Sequence, residues 1–128
     1  MGLVLLDSSV LIAIANPSDT HHHRCVHLLK ECGDTVVAAT ISITETLSSP
    51  LMRSYEFALD LLVELHNMVE RFINLDAPIA FKAAEIRAIQ KMTLGDAIIS
   101  ATADAVNAEL WTCDRELAKK SKNARLLL

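Results

Sequence analysis

Hydrophobic positions along the chain switch repeatedly between two periods. Leu3 to Leu6 is an uninterrupted apolar run closed by Asp7-Ser8-Ser9, the pattern of a strand buried on both faces that feeds a helix N-terminus. A short helix over Val10 to Ala15 stops before Pro17. Asp19 or Thr20 then caps a second helix, whose apolar stripe of Cys25, Leu28, Leu29 and Cys32 ends at Gly33. Val36 to Ala39 is a second strand. Ser42-Ile43-Thr44-Glu45 matches a capping box and predicts a third helix limited by Pro50, with helical spacing resuming from Tyr55 to Val69. Phe72 to Leu75 is the third strand. Pro78 suits a helix start, and Ile79, Ala83, Ile86 and Ile89 line one face of that helix through to Lys91. Thr93 to Asp96 is a second capping box, opening a helix from Ala97 to Asn107. Glu109 to Thr112 is a fourth strand, Asp114 caps a short basic helix, and Leu126 to Leu128 is a fifth strand.

Strands therefore alternate with helices from end to end, which predicts an α/β domain with a parallel sheet covered on both faces and right-handed crossovers. At 128 residues the chain suffices for one core and is short for two, so a single domain over residues 1–128 is expected. There is no internal repeat, and His21-His22-His23 is the longest run of one residue type.

Charge complicates a nucleic-acid reading. Twelve Lys plus Arg against 16 Asp plus Glu give a net charge of −4, the wrong sign for gripping phosphates. Setting aside Asp7, Glu45, Asp96 and Asp114 as metal ligands leaves the remainder balanced. Cys25, Cys32 and Cys113 are odd in number and lack zinc-site spacing, and no secretory leader precedes them, so a reducing cytoplasm is expected. Apolar residues make up 52% of the chain, yet its uncharged stretches are too short to span a bilayer. That much apolar surface in a small domain points instead to a subunit interface.

In an open parallel sheet, ligands bind outside the carboxyl ends of the strands, where strand order reverses. Asp7 ends the first strand and Asp114 follows the fourth; Glu45 and Asp96 open helices next to the second and fourth. Taken singly, each acid is well explained as a helix cap favoured by the helix dipole. Taken together they share one rim, where carboxylates repel one another unless cations intervene. Hard oxygen ligands of this kind suit Mg²⁺ or Mn²⁺, which activate water and stabilise the leaving oxygen in phosphodiester hydrolysis.

The ordered set of motifs resembles the PIN-domain family. Leu5-Leu6-Asp7-Ser8-Ser9-Val10-Leu11-Ile12 looks like its opening strand and turn, and Thr44-Glu45 lies where its helical Glu falls. Leu94-Gly95-Asp96-Ala97-Ile98-Ile99 with Ala101-Thr102-Ala103 resembles its third motif, and Leu110-Trp111-Thr112-Cys113-Asp114 completes the series. The resemblance implies a three-layer α/β/α domain with five parallel strands in order 3-2-1-4-5. It also implies a ribonuclease whose metal-binding and catalytic set is Asp7, Glu45, Asp96 and Asp114, with the hydroxyls of Ser9 and Thr112 in support. In length and layout the chain is most similar to VapC-like toxins, which implies an RNA substrate, a small antitoxin partner and a homodimer.

Other residues of the chain bear on the same site. Asp104 falls near the face of Asp96 but two turns on, and is expected to be an outer or merely solvated group. Lys82, Arg87, Lys91, Arg115, Lys119, Lys120, Lys122 and Arg125 could form a phosphate rim or simply a solvated face. Aromatic residues, at 4%, are too few for a base-stacking platform. His21 to His23 read as an exposed turn rather than a transition-metal site. Tyr55, Phe57, Leu61, Leu62 and Leu65 are the candidate surface for self-association or an antitoxin helix, with ordinary core packing as the alternative. Three rival functions remain: a catalytically silent PIN-fold module that binds RNA or protein, an aspartyl-nucleophile phosphatase, and a phospho-accepting receiver. The phosphatase would want an acid where Ser9 stands, and the receiver an acidic pair where Asp7-Ser8 stands.

Overall fold

The computed structural model describes residues 2–128. Among them the elements run β1 (Leu3–Leu6), α1 (Ser8–Ala15), α2 (His22–Glu31), β2 (Thr35–Ala39), α3 (Thr40–Arg53), α4 (Tyr55–Met68), β3 (Phe72–Ile73), α5 (Ala77–Ile89), α6 (Leu94–Val106), β4 (Ala108–Thr112), α7 (Arg115–Lys120) and β5 (Ala124–Leu126). All four strand pairings are parallel, and the sheet order is β3-β2-β1-β4-β5, as expected. Because β1 leads outward to β2 on one side and pairs with β4 on the other, the order reverses between β1 and β4. Leu6 pairs with Trp111 there, and the ladder continues with Asp7 N donating to Trp111 O at 3.1 Å.

The alternation of β1 divides the core into two layers. Leu5 joins Val37, Leu110, Ile79 and the small face of α6, including Ala97, Ala101 and Ala103. Val4 and Leu6 turn to the opposite face and meet Val10, Leu11, Leu47, Leu65 and Trp111. Leu5 and Leu6 are both fully buried, on opposite sides, each worth roughly 2 to 3 kcal/mol of apolar burial. A strand packed on both faces holds its C-terminal residue rigidly, which is what Asp7 requires.

Several boundaries differ from the sequence reading. The capping box assigned to Ser42–Glu45 is not used: β2 runs straight into α3 at Thr40, so Ser42 lies inside the helix, buried, with no partner for its hydroxyl. Pro50 does not limit α3, which continues to Arg53; its ring removes one backbone donor, and Ser54 N still bonds to Pro50 O at 3.0 Å. Neither Asp19 nor Thr20 caps α2, whose first residue is His22. Asp19 instead turns its side chain to His21 N at 2.9 Å. The helix ends at Glu31, so Gly33 is not its stop. Helix α5 starts one residue before Pro78 under an Asp76 cap and ends at Ile89. Asn107, the one non-glycine residue with positive φ among those described (55°), turns the chain from α6 into β4. The third strand is two residues long, and the fifth lies at Ala124–Leu126 rather than Leu126–Leu128, because Leu127 is drawn into the core.

Candidate active site

Asp7 is the N-cap of α1 and accepts from Val10 N at 3.1 Å, so its role as a cap is real. It does more than cap. Ser9 Oγ donates to Asp7 Oδ1 and Thr112 Oγ1 donates to Asp7 Oδ2, both at 2.5 Å. With 5% of its surface exposed, the carboxyl is pushed up from 3.8 to about 6 by burial, against the opposing pull of the Ser9, Thr112 and Val10 bonds. The charge on Asp96 raises it further.

The turn after β4 closes the other side. Thr112 Oγ1 accepts from Asp114 N at 3.0 Å, and Ser9 Oγ accepts from Cys113 N at 2.9 Å, so each supporting hydroxyl ties Asp7 to the turn that carries Asp114. Asp114 caps α7, accepting from Glu116 N at 2.9 Å and Leu117 N at 3.5 Å.

Glu45 and Asp96 come from the flanking helices. Asp96 sits in the first turn of α6, where Thr93 Oγ1 accepts from its backbone N at 3.2 Å, half of the expected capping box. Its carboxyl is raised by burial and then by the charge of Asp114, with Thr93 and Lys120 acting in the opposite direction. Glu45 is exposed as a residue, yet its carboxyl is raised by partial burial and by Asp96, with Ser8 acting in the opposite direction. It approaches α6 so closely that a Cβ at Gly95 would fall 2.6 Å from Glu45 Oε2.

Asp96 thus feels the charge of Asp114 and acts on both Asp7 and Glu45, so each of the other three acids lies within electrostatic reach of it. Among the described residues none of the four forms an ion pair with Lys, Arg or His. Nor do any three acidic, His or Cys groups converge tightly enough to cage an ion. Both side-chain oxygens of Asp7 and one of Asp114 accept from nearby N–H and O–H donors. Such a set fits a cation that keeps most of its own water, the habit of Mg²⁺, better than one enclosed wholly by protein.

The sequence pattern alone assigns Ser8 and Gly95 no role at the site. Ser8 is hidden in the Asp-Ser-Ser run, where hydroxyls one residue apart on a helix face different ways: Ser8 toward Glu45 and Ser9 toward the β4 turn. Asp104 is not part of the cluster; its Oδ2 lies 3.8 Å from Lys82 Nζ. His22 Nδ1 is within 2.7 Å of Ala13 O, which ties α2 to α1 and replaces the frayed turn expected there. The proposed association surface divides: Leu61 and Leu65 belong to the core, whereas Tyr55 and Phe57 are exposed.

A three-layer α/β/α domain with carboxylates gathered around its switch point describes the class. Within it, the chain belongs to the PIN-domain family, whose model matches residues 4–123. No curated protein matches the chain. Among solved structures it is similar to a toxin-antitoxin complex from Klebsiella pneumoniae, at TM-score 0.81 and 21% identity over 98% of each chain. It is also similar to FitAcB from Neisseria gonorrhoeae, at TM-score 0.78 and 21% identity over 96% of each chain. The sarcin-ricin-loop-cleaving toxin VapC20 of Mycobacterium tuberculosis shares the fold at TM-score 0.76 and 17% identity, over 91% of this chain and 93% of that one.

Proposed function

We propose that the chain, as one domain over residues 1–128, is a Mg²⁺- or Mn²⁺-dependent ribonuclease and the toxin of a toxin–antitoxin pair. The observation that carries this reading is the set of four carboxylates around Asp96 with no ion-pairing cation of their own. Asp7, Glu45, Asp96 and Asp114 would hold the divalent ions, which, when bound, supply an activated water and charge stabilisation at phosphorus. Ser9 and Thr112 fix both oxygens of Asp7, so its carboxylate does not swing when RNA enters. Ser8 and the small profile of Gly95 set the position of Glu45. Asp96, the residue after that glycine, couples the two halves of the set.

Membership of the PIN-domain family and the toxin named among the similar folds support RNA as the substrate. The antitoxin partner is supported by the toxin-antitoxin complex that shares the fold. A cavity of about 550 Å³ beside Glu45, bordered by Ile12, Pro17, Arg53 and Phe57, is where a partner helix would reach the site. Exposed Met52, Tyr55, Phe57 and Val63 on α3 and α4 support a homodimer. No helix among the described residues is long and apolar enough to cross a membrane, and the reading places the protein in the cytoplasm.

Cleavage of a labelled RNA with and without chelator, in the parent and in Asp7→Asn, tests the proposal. Metal-dependent cleavage lost in the variant supports it. Chelator-resistant cleavage counts against the metal, RNA binding without cleavage favours the silent module, and a trapped aspartyl phosphate favours the phosphatase. Sedimentation as a monomer at high micromolar concentration would remove the dimer.

A further inference from the structure

A second concavity, of about 340 Å³, lies between α5, α6 and α7. One wall is aliphatic, with Ile86, Ile89 and Met92, and Ile89 is 85% exposed, an unusual position for so large an apolar side chain. Lys82, Lys120 and Lys122 share the lining with two acids, Glu85 and Asp104, and Asp104 lies 3.8 Å from Lys82, which leaves Lys120 and Lys122 as the cations for a phosphate. Lys120 is held in place, donating to the carbonyl of Lys91 and lying 3.8 Å from Glu116. Ser100 and Asp104, which also line the groove, follow Asp96 by one and two turns of α6, so the groove adjoins the carboxylate cluster along this helix. Lys122 forms no ion pair among the described residues.

Lysines on helices usually mark nothing more than a solvated face. Here they line one groove with aliphatic side chains, within a volume at the lower end of the range for small-ligand sites, roughly 300 to 1,000 Å³. A single nucleotide has both characters that such a groove would complement: an anionic phosphate and a flat base with apolar faces. In a chain this poor in aromatic residues, aliphatic side chains are the surface left for a base to lie against.

We propose that this groove is a nucleotide subsite, holding the RNA nucleotide next to the scissile phosphate, with Lys120 and Lys122 on its phosphate and Ile86 and Ile89 against its base. The proposal rests on the ribonuclease reading above. Steady-state cleavage of a single-stranded RNA across a salt series tests it with two exposed-site variants. Lys122→Gln should raise KM several-fold with kcat nearly unchanged and lower the salt slope of log KM by about 0.7, the loss of one phosphate contact on a single strand. Ile89→Ser should raise KM without altering the slope. Unchanged KM and slope in both variants, with the parent still cleaving, overturn the subsite alone. A parent that neither binds nor cleaves RNA overturns the ribonuclease reading and the subsite together.

The thiols of Cys25 and Cys113 carry a separate inference. Their Sγ atoms lie 3.6 Å apart, joining α2 to the residue between Thr112 and Asp114. Both are free, Cys25 fully buried and Cys113 partly exposed. A disulfide needs about 2.05 Å between sulfurs, so closure requires a shift of roughly 1.5 Å. Cytoplasmic disulfides, where they occur, are mostly transient and regulatory.

We infer that the pair is a peroxide-sensitive switch on the adjacent site. Hydrogen peroxide oxidises the accessible Cys113 thiol to a sulfenic acid, releasing one water; the Cys25 sulfur attacks it, the S–S bond forms and a second water leaves. Drawing Cys113 toward α2 pulls its backbone N–H from Ser9 and shifts the turn that bears Asp114. Peptide mapping after peroxide treatment should find Cys25 joined to Cys113, with cleavage reduced at least tenfold and restored by dithiothreitol. Cys113→Ser should form no such bond and keep its activity under peroxide. Failure of the disulfide to form, or full activity in the disulfide-bonded protein, overturns the switch.

Discussion

Thr112 Oγ1 donates to Asp7 Oδ2 at 2.5 Å, joining two residues 105 positions apart across the β1–β4 boundary. The same oxygen accepts from Asp114 N at 3.0 Å, so one hydroxyl positions an acid on each side of the switch point. Valine matches threonine in shape but can do neither. Thr112→Val should lower stability by roughly 2 kcal/mol, since it strips a donor from a buried carboxyl, while Thr112→Ser should lose much less. Urea titration of both variants checks the difference.

The pH dependence of the metal-free protein should carry the signature of Asp7. Its folded pKa of about 6 lies above the ordinary 3.8, so the folded state holds this proton more tightly than the unfolded chain does. The resulting stability is fully present below pH 3.8 and is lost as pH rises through 6, a change of roughly 3 kcal/mol. Denaturation of the chelated parent from pH 4 to 7 should follow that fall. Asp7→Asn should flatten most of it, with Glu45 and Asp96, both also raised, leaving a smaller slope.

Asp96 distinguishes a shared cation site from four separate caps. Thr93, not the Asp96 side chain, caps α6, so Asp96→Asn removes charge without removing the cap. In chelated buffer the variant should match or exceed the parent in Tm, because the repulsion from Asp114 and on Asp7 and Glu45 falls. Mn²⁺ should raise the Tm of the parent by mass action and that of the variant much less. Equal Mn²⁺ shifts in the two proteins would remove Asp96 from the shared site.

Gly95 invites a substitution whose effects on fold and site diverge. Its φ is not positive, and alanine in a helix is favoured over glycine by about 1 kcal/mol. The added Cβ would fall 2.6 Å from Glu45 Oε2, the free end of a flexible side chain. Gly95→Ala should therefore keep or raise the Tm while displacing the Glu45 carboxylate and reducing metal-dependent cleavage at least tenfold. A variant as active as the parent would show that the position of Glu45 is not critical.

The sequence made the strands and their order legible because burial on both faces leaves uninterrupted apolar runs, as at Leu3–Leu6, and because the motifs resemble a family with a fixed topology. Helix starts were less legible. Ser42 and Glu45 have the spacing of a capping box, but β2 runs into α3 without a loop, and the serine is carried into the helix interior. The acids could be placed at one rim from their positions at strand ends and helix starts. Their dependence on Ser8 and Gly95 could not, because it comes from how closely α3, α1 and α6 approach one another, a distance that no local pattern encodes.

The reversal of strand order between β1 and β4 also bears on when the protein becomes competent during synthesis. Asp7 leaves the ribosome 105 residues before its donor Thr112, and its ladder partner Trp111 and its neighbour Asp114 emerge just as late. Until β4 inserts, β1 has an open edge and Asp7 lacks its bonds to Thr112 and Trp111. Contacts this distant in sequence form late and together. A nascent chain of this topology therefore has no assembled acidic set while β1 through α6 are already made, and the site is completed only when β4 and the turn after it join the sheet.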